Sequence, residues 1–115
     1  MSETLQFIVM VDGDVSEEAL LRSVFDAFPD AVRLKVHSCD VQGNQLEIWH
    51  NEDADPALAF TDDDGYLYYR RRVEVTPMIG SVDEDHQVAL ARALAVAFES
   101  IGGRAVVLAN FEDRL

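Results

Sequence analysis

Apolar residues recur at two spacings along this chain, and the change from one to the other marks where strands give way to helices. In "LQFIVMV", residues 5 to 11, the alternating sets Phe7/Val9/Val11 and Ile8/Met10 are both apolar. That predicts a central strand covered on both sides. Leu20, Leu21, Val24, Phe25 and Phe28 then repeat at the spacing of one helical face, after Asp14 or Ser16 as cap and before Pro29 as terminator. A first helix is expected from Ser16 to Phe28.

The segment "AVRLKVHSCDV" alternates as a second strand, "QGN" reads as its turn, and "QLEIWHN" returns as a third. Setting Val41 opposite Leu46 places Cys39 across from Ile48 and His37 across from His50. It also opposes Asp40 to Glu47, an unfavourable pair that leaves a slip or a bulge open. Residues 51 to 65, "NEDADPALAFTDDDG", form an acidic connection in which Asp55 and Pro56 cap and begin a short helical turn through Phe60. "YLYYRRRVEV" reads as the next strand. Ser81 and Glu84 make a capping box for a helix from Val82 to Ile101, "GG" stops it, and "RAVVLA" is the last strand, followed by the tail "NFEDRL".

The resulting order, βαβββαβ, resembles the ferredoxin-like βαββαβ plait with one strand added. The resemblance lies at the level of the fold, spans most of the chain, and carries no functional motif. It implies an α+β domain, residues 1 to 115, with an antiparallel sheet, two helices on one face and the other face open.

Composition narrows the class. With 49% hydrophobic and 27% charged residues in 115, the chain has enough apolar material for one core and lies outside the disordered class. A single cysteine, Cys39, forms no internal bridge. The start has no basic leader, and the apolar run from Phe7 to Val11 is too short for a signal or membrane helix, so a cytoplasmic protein without a membrane partner is expected. The formal charge of -13 repels nucleic acid and favours a basic partner protein, cations, or plain solubility. A high-GC or salt-adapted source would account for the same balance of eight arginines against one lysine.

Three of the nine basic residues stand together in "DGYLYYRRRVEV". On a strand, Tyr66, Tyr68, Arg70, Arg72 and Glu74 face one way, and Leu67, Tyr69, Arg71, Val73 and Val75 face the other. The second set belongs to the core, where Arg71 needs a carboxylate or the end of the sheet. The first set, with Trp49, belongs to the open face, and Tyr, Trp and Arg around an apolar centre have the make-up of a protein interface. Tyr66, Tyr68, Arg70, Arg72 and Trp49 are therefore the candidate partner-binding residues. The expected function is a non-enzymatic binding module that self-associates as a homodimer or neutralises or regulates a basic partner protein. In the plainer alternative, Arg70 and Arg72 only pair with Glu47 or with the acidic connection.

Sharper motifs fall short. "DGYLYY" is similar to the aromatic strand of RNA-recognition-motif domains but has Asp64 where a basic residue leads and Leu67 where a small one follows. Aligning Gly65 with the glycine of a calcium loop puts Phe60 and Arg71 at ligand positions, which excludes an EF-hand. His37, Cys39 and His50 have suitable ligand chemistry but no metal-site spacing, so no metal and no cofactor are expected. The competing function is a small-molecule binder or enzyme that uses His37, Cys39, Trp49 and His50 beneath the acidic connection. No phosphate-binding loop or hydrolase elbow occurs.

Overall fold

The computed structural model describes residues 5 to 80 and 82 to 115. Six strands, β1 (Phe7–Asp12), β2 (Val32–Lys35), β3 (Ser38–Val41), β4 (Asn44–His50), β5 (Arg71–Pro77) and β6 (Arg104–Leu108), form one sheet in the order β2-β3-β4-β5-β1-β6. Every neighbouring pair is antiparallel. The helices are α1 (Glu17–Ala27), α2 (Pro56–Thr61) and α3 (Glu84–Ser100). No helix among the described residues is long and apolar enough to cross a membrane.

Both long helices start where a short polar side chain takes an otherwise unpaired amide. Ser16 Oγ accepts from the Ala19 amide at 3.0 Å, and Asp83 Oδ1 accepts from the His86 amide at 2.9 Å. Acidic first turns, Glu17/Glu18 and Glu84/Asp85, complement the helix dipole. The third helix thus begins at Glu84 under Asp83, two residues later than the capping-box expectation, whose Ser81 lies outside the described residues. Leu20, Leu21 and Val24 from α1 and Val88, Leu90, Ala91, Leu94 and Phe98 from α3 close over Phe7, Val9, Val11, Leu46, Ile48, Val73 and Val75. This is the main core.

Three sequence expectations change. The segment 31 to 41 is not one strand: it folds back at Val36 and His37 into β2 and β3, which raises the strand count to six. The β3–β4 turn has two residues rather than three, with Gln42 at φ 49° and Gly43 at φ 80°, the mirror-image turn that matches strand twist. Asn44 is thereby drawn into β4, and the register moves by two positions so that Cys39 faces Leu46 and Asp40 faces Gln45. The Asp40–Glu47 clash disappears. The two-residue turn sets this register, and Asn44 is buried beside Gln87, where the two amides exchange hydrogen bonds of 3.0 and 2.9 Å and Gln87 also donates to the Leu5 carbonyl at 2.9 Å. Both buried side-chain amides are thereby satisfied.

The third change is on the face away from α1 and α3. That face is not wholly open. Residues 51 to 70 form an insertion, α2 followed by a 3₁₀ turn at Gly65–Tyr68, that packs over β1 and β6. The expectation of helices on one face only is therefore corrected; the arrangement is a mixed α+β fold with a six-stranded antiparallel sheet and three helices.

Candidate functional site

The face opposite the long helices has two halves. Over β1 and β6, Ala59 and Tyr69 are buried against Met10, and Tyr66 and Tyr68 pack with Ile8, Val106 and Leu108. Over β3, β4 and β5 the sheet is bare.

The covered half is held by short-range bonds. Asn51 donates through Nδ2 to the Leu67 carbonyl at 2.9 Å and the Tyr69 carbonyl at 2.7 Å, clamping the two ends of the insertion together. The Asn51 amide donates to the Arg70 carbonyl and the Asp55 amide to the Tyr68 carbonyl. Asp55 Oδ1 accepts from the Ala57 and Leu58 amides, and Pro56 opens α2, as the Asp55-Pro56 pair in the sequence predicts. At Gly65 a Cβ would run into the Ala59 carbonyl, so only glycine lets the turn close on α2. Arg104 lies over Phe60 and Tyr69, 4.9 and 5.9 Å from the ring centroids. Between the insertion and the sheet runs an open groove of about 500 Å³, with Ile8, Met10 and Leu108 on its floor, Tyr68 beside them, and Glu52, Asp53 and Asp55 along one wall.

Tyr66 and Tyr68 therefore do not lie on a strand, since β5 begins only at Arg71. They stand above the expected face as part of its cover.

The three arginines diverge. Arg70 donates to the Gly13 carbonyl at 3.1 Å and lies 3.6 Å from the buried Asp12 carboxylate. Arg71 turns toward the helical side at the end of the sheet, donating to His50 Nδ1 at 3.2 Å with Glu17 at 4.0 Å. The sheet end and a nearby carboxylate are what its position called for, but at 4.0 Å Glu17 is too far to hydrogen-bond, and the buried Arg71 Nε has no hydrogen-bond partner among the described residues. Arg72 reaches Glu74 at 2.9 Å. Each arginine has an acid, but none is Glu47 or belongs to the acidic connection.

The bare half centres on Trp49, which stands opposite Arg72 in the register and is 51% exposed. Val32, on the edge strand β2, is 59% exposed and pairs with Asp40. Beside Trp49 lies a shallow depression of about 270 Å³ bordered by Lys35, Val36, Ser38 and Glu47. In the same layer Glu47 stands opposite Glu74, a like-charge cross-strand pair. Sequence reasoning missed this pair, because it depends on the register of β4 against β5, two strands separated in the chain by the insertion.

His37, Cys39, Trp49 and His50 do not converge. Cys39 is sealed in the main core, where burial pushes its thiol up to about 11, while Trp49 projects from the opposite face. His37 Nε2 lies 3.9 Å from Glu17, and His50 contacts Arg71, so both histidines gather at the start of α1. Among the described residues no group of three His, Cys, Asp or Glu side chains is placed to hold a metal ion. The acidic insertion lies across the sheet from Cys39.

A scan against protein-family models, curated proteins and solved structures finds no match to this chain.

Proposed function

We propose that the chain is a binding module for a basic partner protein, which it engages over the bare half of the sheet. The observation that carries this reading is the directly opposed Glu47 and Glu74 beside exposed Trp49. Two carboxylates across a ladder repel each other, and Arg72 offsets only one of them. A lysine or arginine from a partner relieves the remaining charge, while Trp49 supplies the apolar anchor. The net charge of -13 favours encounter with a basic protein and opposes pairing of two identical chains, so a heterologous partner is preferred to the homodimer.

Within this reading Trp49 and Arg72 form the centre and Tyr68 the border. Tyr66 and Arg70 contribute by holding the insertion and the end of β5. The frame is read as a ferredoxin-like plait in which β1, α1, β4, β5, α3 and β6 form the βαββαβ unit, with β2 and β3 added at one edge. The neighbour order β4-β5-β1-β6 supports that reading. A cytoplasmic setting is consistent with one free, buried cysteine.

Affinity capture from the source cell with wild type, Trp49→Ala and Glu47→Lys, followed by mass spectrometry, tests the proposal. A basic protein retained by wild type and lost by both variants is the expected result, with Trp49→Ala costing at least about 2 kcal/mol of binding. Capture of a partner that both variants retain would refute it. Sedimentation of a wild-type dimer that Trp49→Ala dissociates would replace it with self-association.

A further inference from the structure

The groove beneath the insertion is separate from the bare half, and its chemistry is of two kinds. Ile8, Met10 and Leu108 give it an apolar floor, with Ile8 and Leu108 half-buried rather than closed over. Glu52, Asp53 and Asp55 give it an anionic wall, and among the described residues none of these three takes part in an ion pair. The cation in its lining, Arg72, is already held by Glu74 at 2.9 Å. The trough does not end at Leu108. A second depression shares Ile8, Arg72 and Leu108 with it and continues to Gln6 and Asn110. From Met10 to Gln6 along β1 the run is roughly 13 Å, the length of about four extended residues.

We infer that this groove receives an extended segment of the basic partner, with an aliphatic side chain on the floor and an ammonium or guanidinium group against Glu52 and Asp53. The inference rests on the proposed function and adds where, and by what kind of sequence, the partner is gripped. Charge complementarity selects the occupant: an acidic segment meets the wall, and a purely polar basic one leaves the floor exposed to water. An aliphatic residue next to lysine or arginine satisfies both. The insertion is fastened through Asn51 and Gly65, so the wall is in place before anything binds.

The probe is a fluorescein-labelled hexapeptide of alternating lysine and leucine. Its controls replace leucine by serine in one peptide and lysine by glutamate in another. Fluorescence anisotropy at low salt gives affinity, and methyl NMR of Ile8, Met10 and Leu108 gives position. The lysine–leucine peptide is expected to bind, to move those methyl signals, and to lose about tenfold in affinity in the Glu52→Gln/Asp53→Asn variant, whose changes lie on exposed side chains. Trp49→Ala should leave its affinity unchanged. Equal binding by the lysine–serine peptide, or no binding by the lysine–leucine peptide, overturns the inference. If the peptide binds but moves only the Trp49 indole signal, the groove inference falls while the proposed function stands. If partner capture by the bare half fails while the methyl signals still move, the groove survives and the proposed function falls.

Discussion

The half of the sheet beneath the insertion and the half around Trp49 lie on the same face, yet they meet water in opposite ways. Under the insertion, Met10 and Tyr69 are buried, and the backbone of the cover is bonded at both ends by one asparagine. Around Trp49, an aromatic ring and two opposed glutamates are left uncovered. At Met10, Ala59 and Tyr69 the first half packs as core, and those residues report on stability, while Ile8 and Leu108 stay half-buried along the groove. The second leaves an exposed ring and a like-charge pair that Arg72 offsets on one side only, features that cost a little in the free protein. Apolar composition alone therefore does not tell the two halves apart; what covers each of them does.

The largest test of this contrast is Met10→Ala, which leaves a cavity beneath Tyr69 and Ala59. It is expected to lower stability by about 2 to 5 kcal/mol in urea denaturation. A loss below about 1 kcal/mol would mean that Tyr69 and Ala59 do not pack on Met10 as core.

Next in size is an alkaline transition beneath the bare half. The Cys39 thiol ordinarily titrates at 9.0, and burial raises it in the folded state to about 11. Below pH 9.0 the thiol is protonated in both states and costs nothing; between these two values only the unfolded chain ionises, so stability falls as pH rises. The loss is roughly 2 to 3 kcal/mol, measured as the midpoint of unfolding across that range. Cys39→Ala should flatten this part of the profile.

Asn51→Ala should cost about 1 to 2 kcal/mol, since it strips the clamp from two carbonyls. Hydrogen exchange should quicken in residues 55 to 69 and leave β3 and β4 unchanged. The smallest effect is on the bare side: Trp49→Ala should change stability by no more than about 0.5 kcal/mol, even as it abolishes capture. A large loss there would make Trp49 a structural residue and erase the contrast.

The parts of this architecture legible in the sequence are those decided locally. The first helix, its Ser16 cap and its end at Pro29, the short turn opened by Asp55 and Pro56, and the doubly apolar β1 all follow from residues a few positions apart. What was not legible depends on distant partners. The β3–β4 register follows from the two-residue turn at Gln42 and Gly43, and the burial of Asn44 against Gln87 from α3 is a contact no hairpin pattern reveals. Tyr66 to Tyr69 have strand-like composition, yet Asn51 takes the carbonyls of Leu67 and Tyr69 and packing on Met10 holds Tyr69, so propensity is overridden. The arginines were legible as a concentration of charge. Their partners Asp12, Glu17 and Glu74 were legible only once β1, α1 and β5 had been placed together.

The irregularity in β2 bears on how this chain behaves in a crowd. The pairing of β2 with β3 shifts between Arg33 and Lys35, so that Leu34 is an extra residue on the outermost strand. An unbroken apolar edge offers incoming strands a template on which sheets grow end to end. Here the ladder runs out of step after two residues, and Arg33 is turned back over Phe25 at 5.6 Å, with its guanidinium on Glu18 at 2.8 Å. A neighbouring chain that begins to align along β2 loses its bonding pattern at Leu34, which disfavours fibrillar growth from that edge.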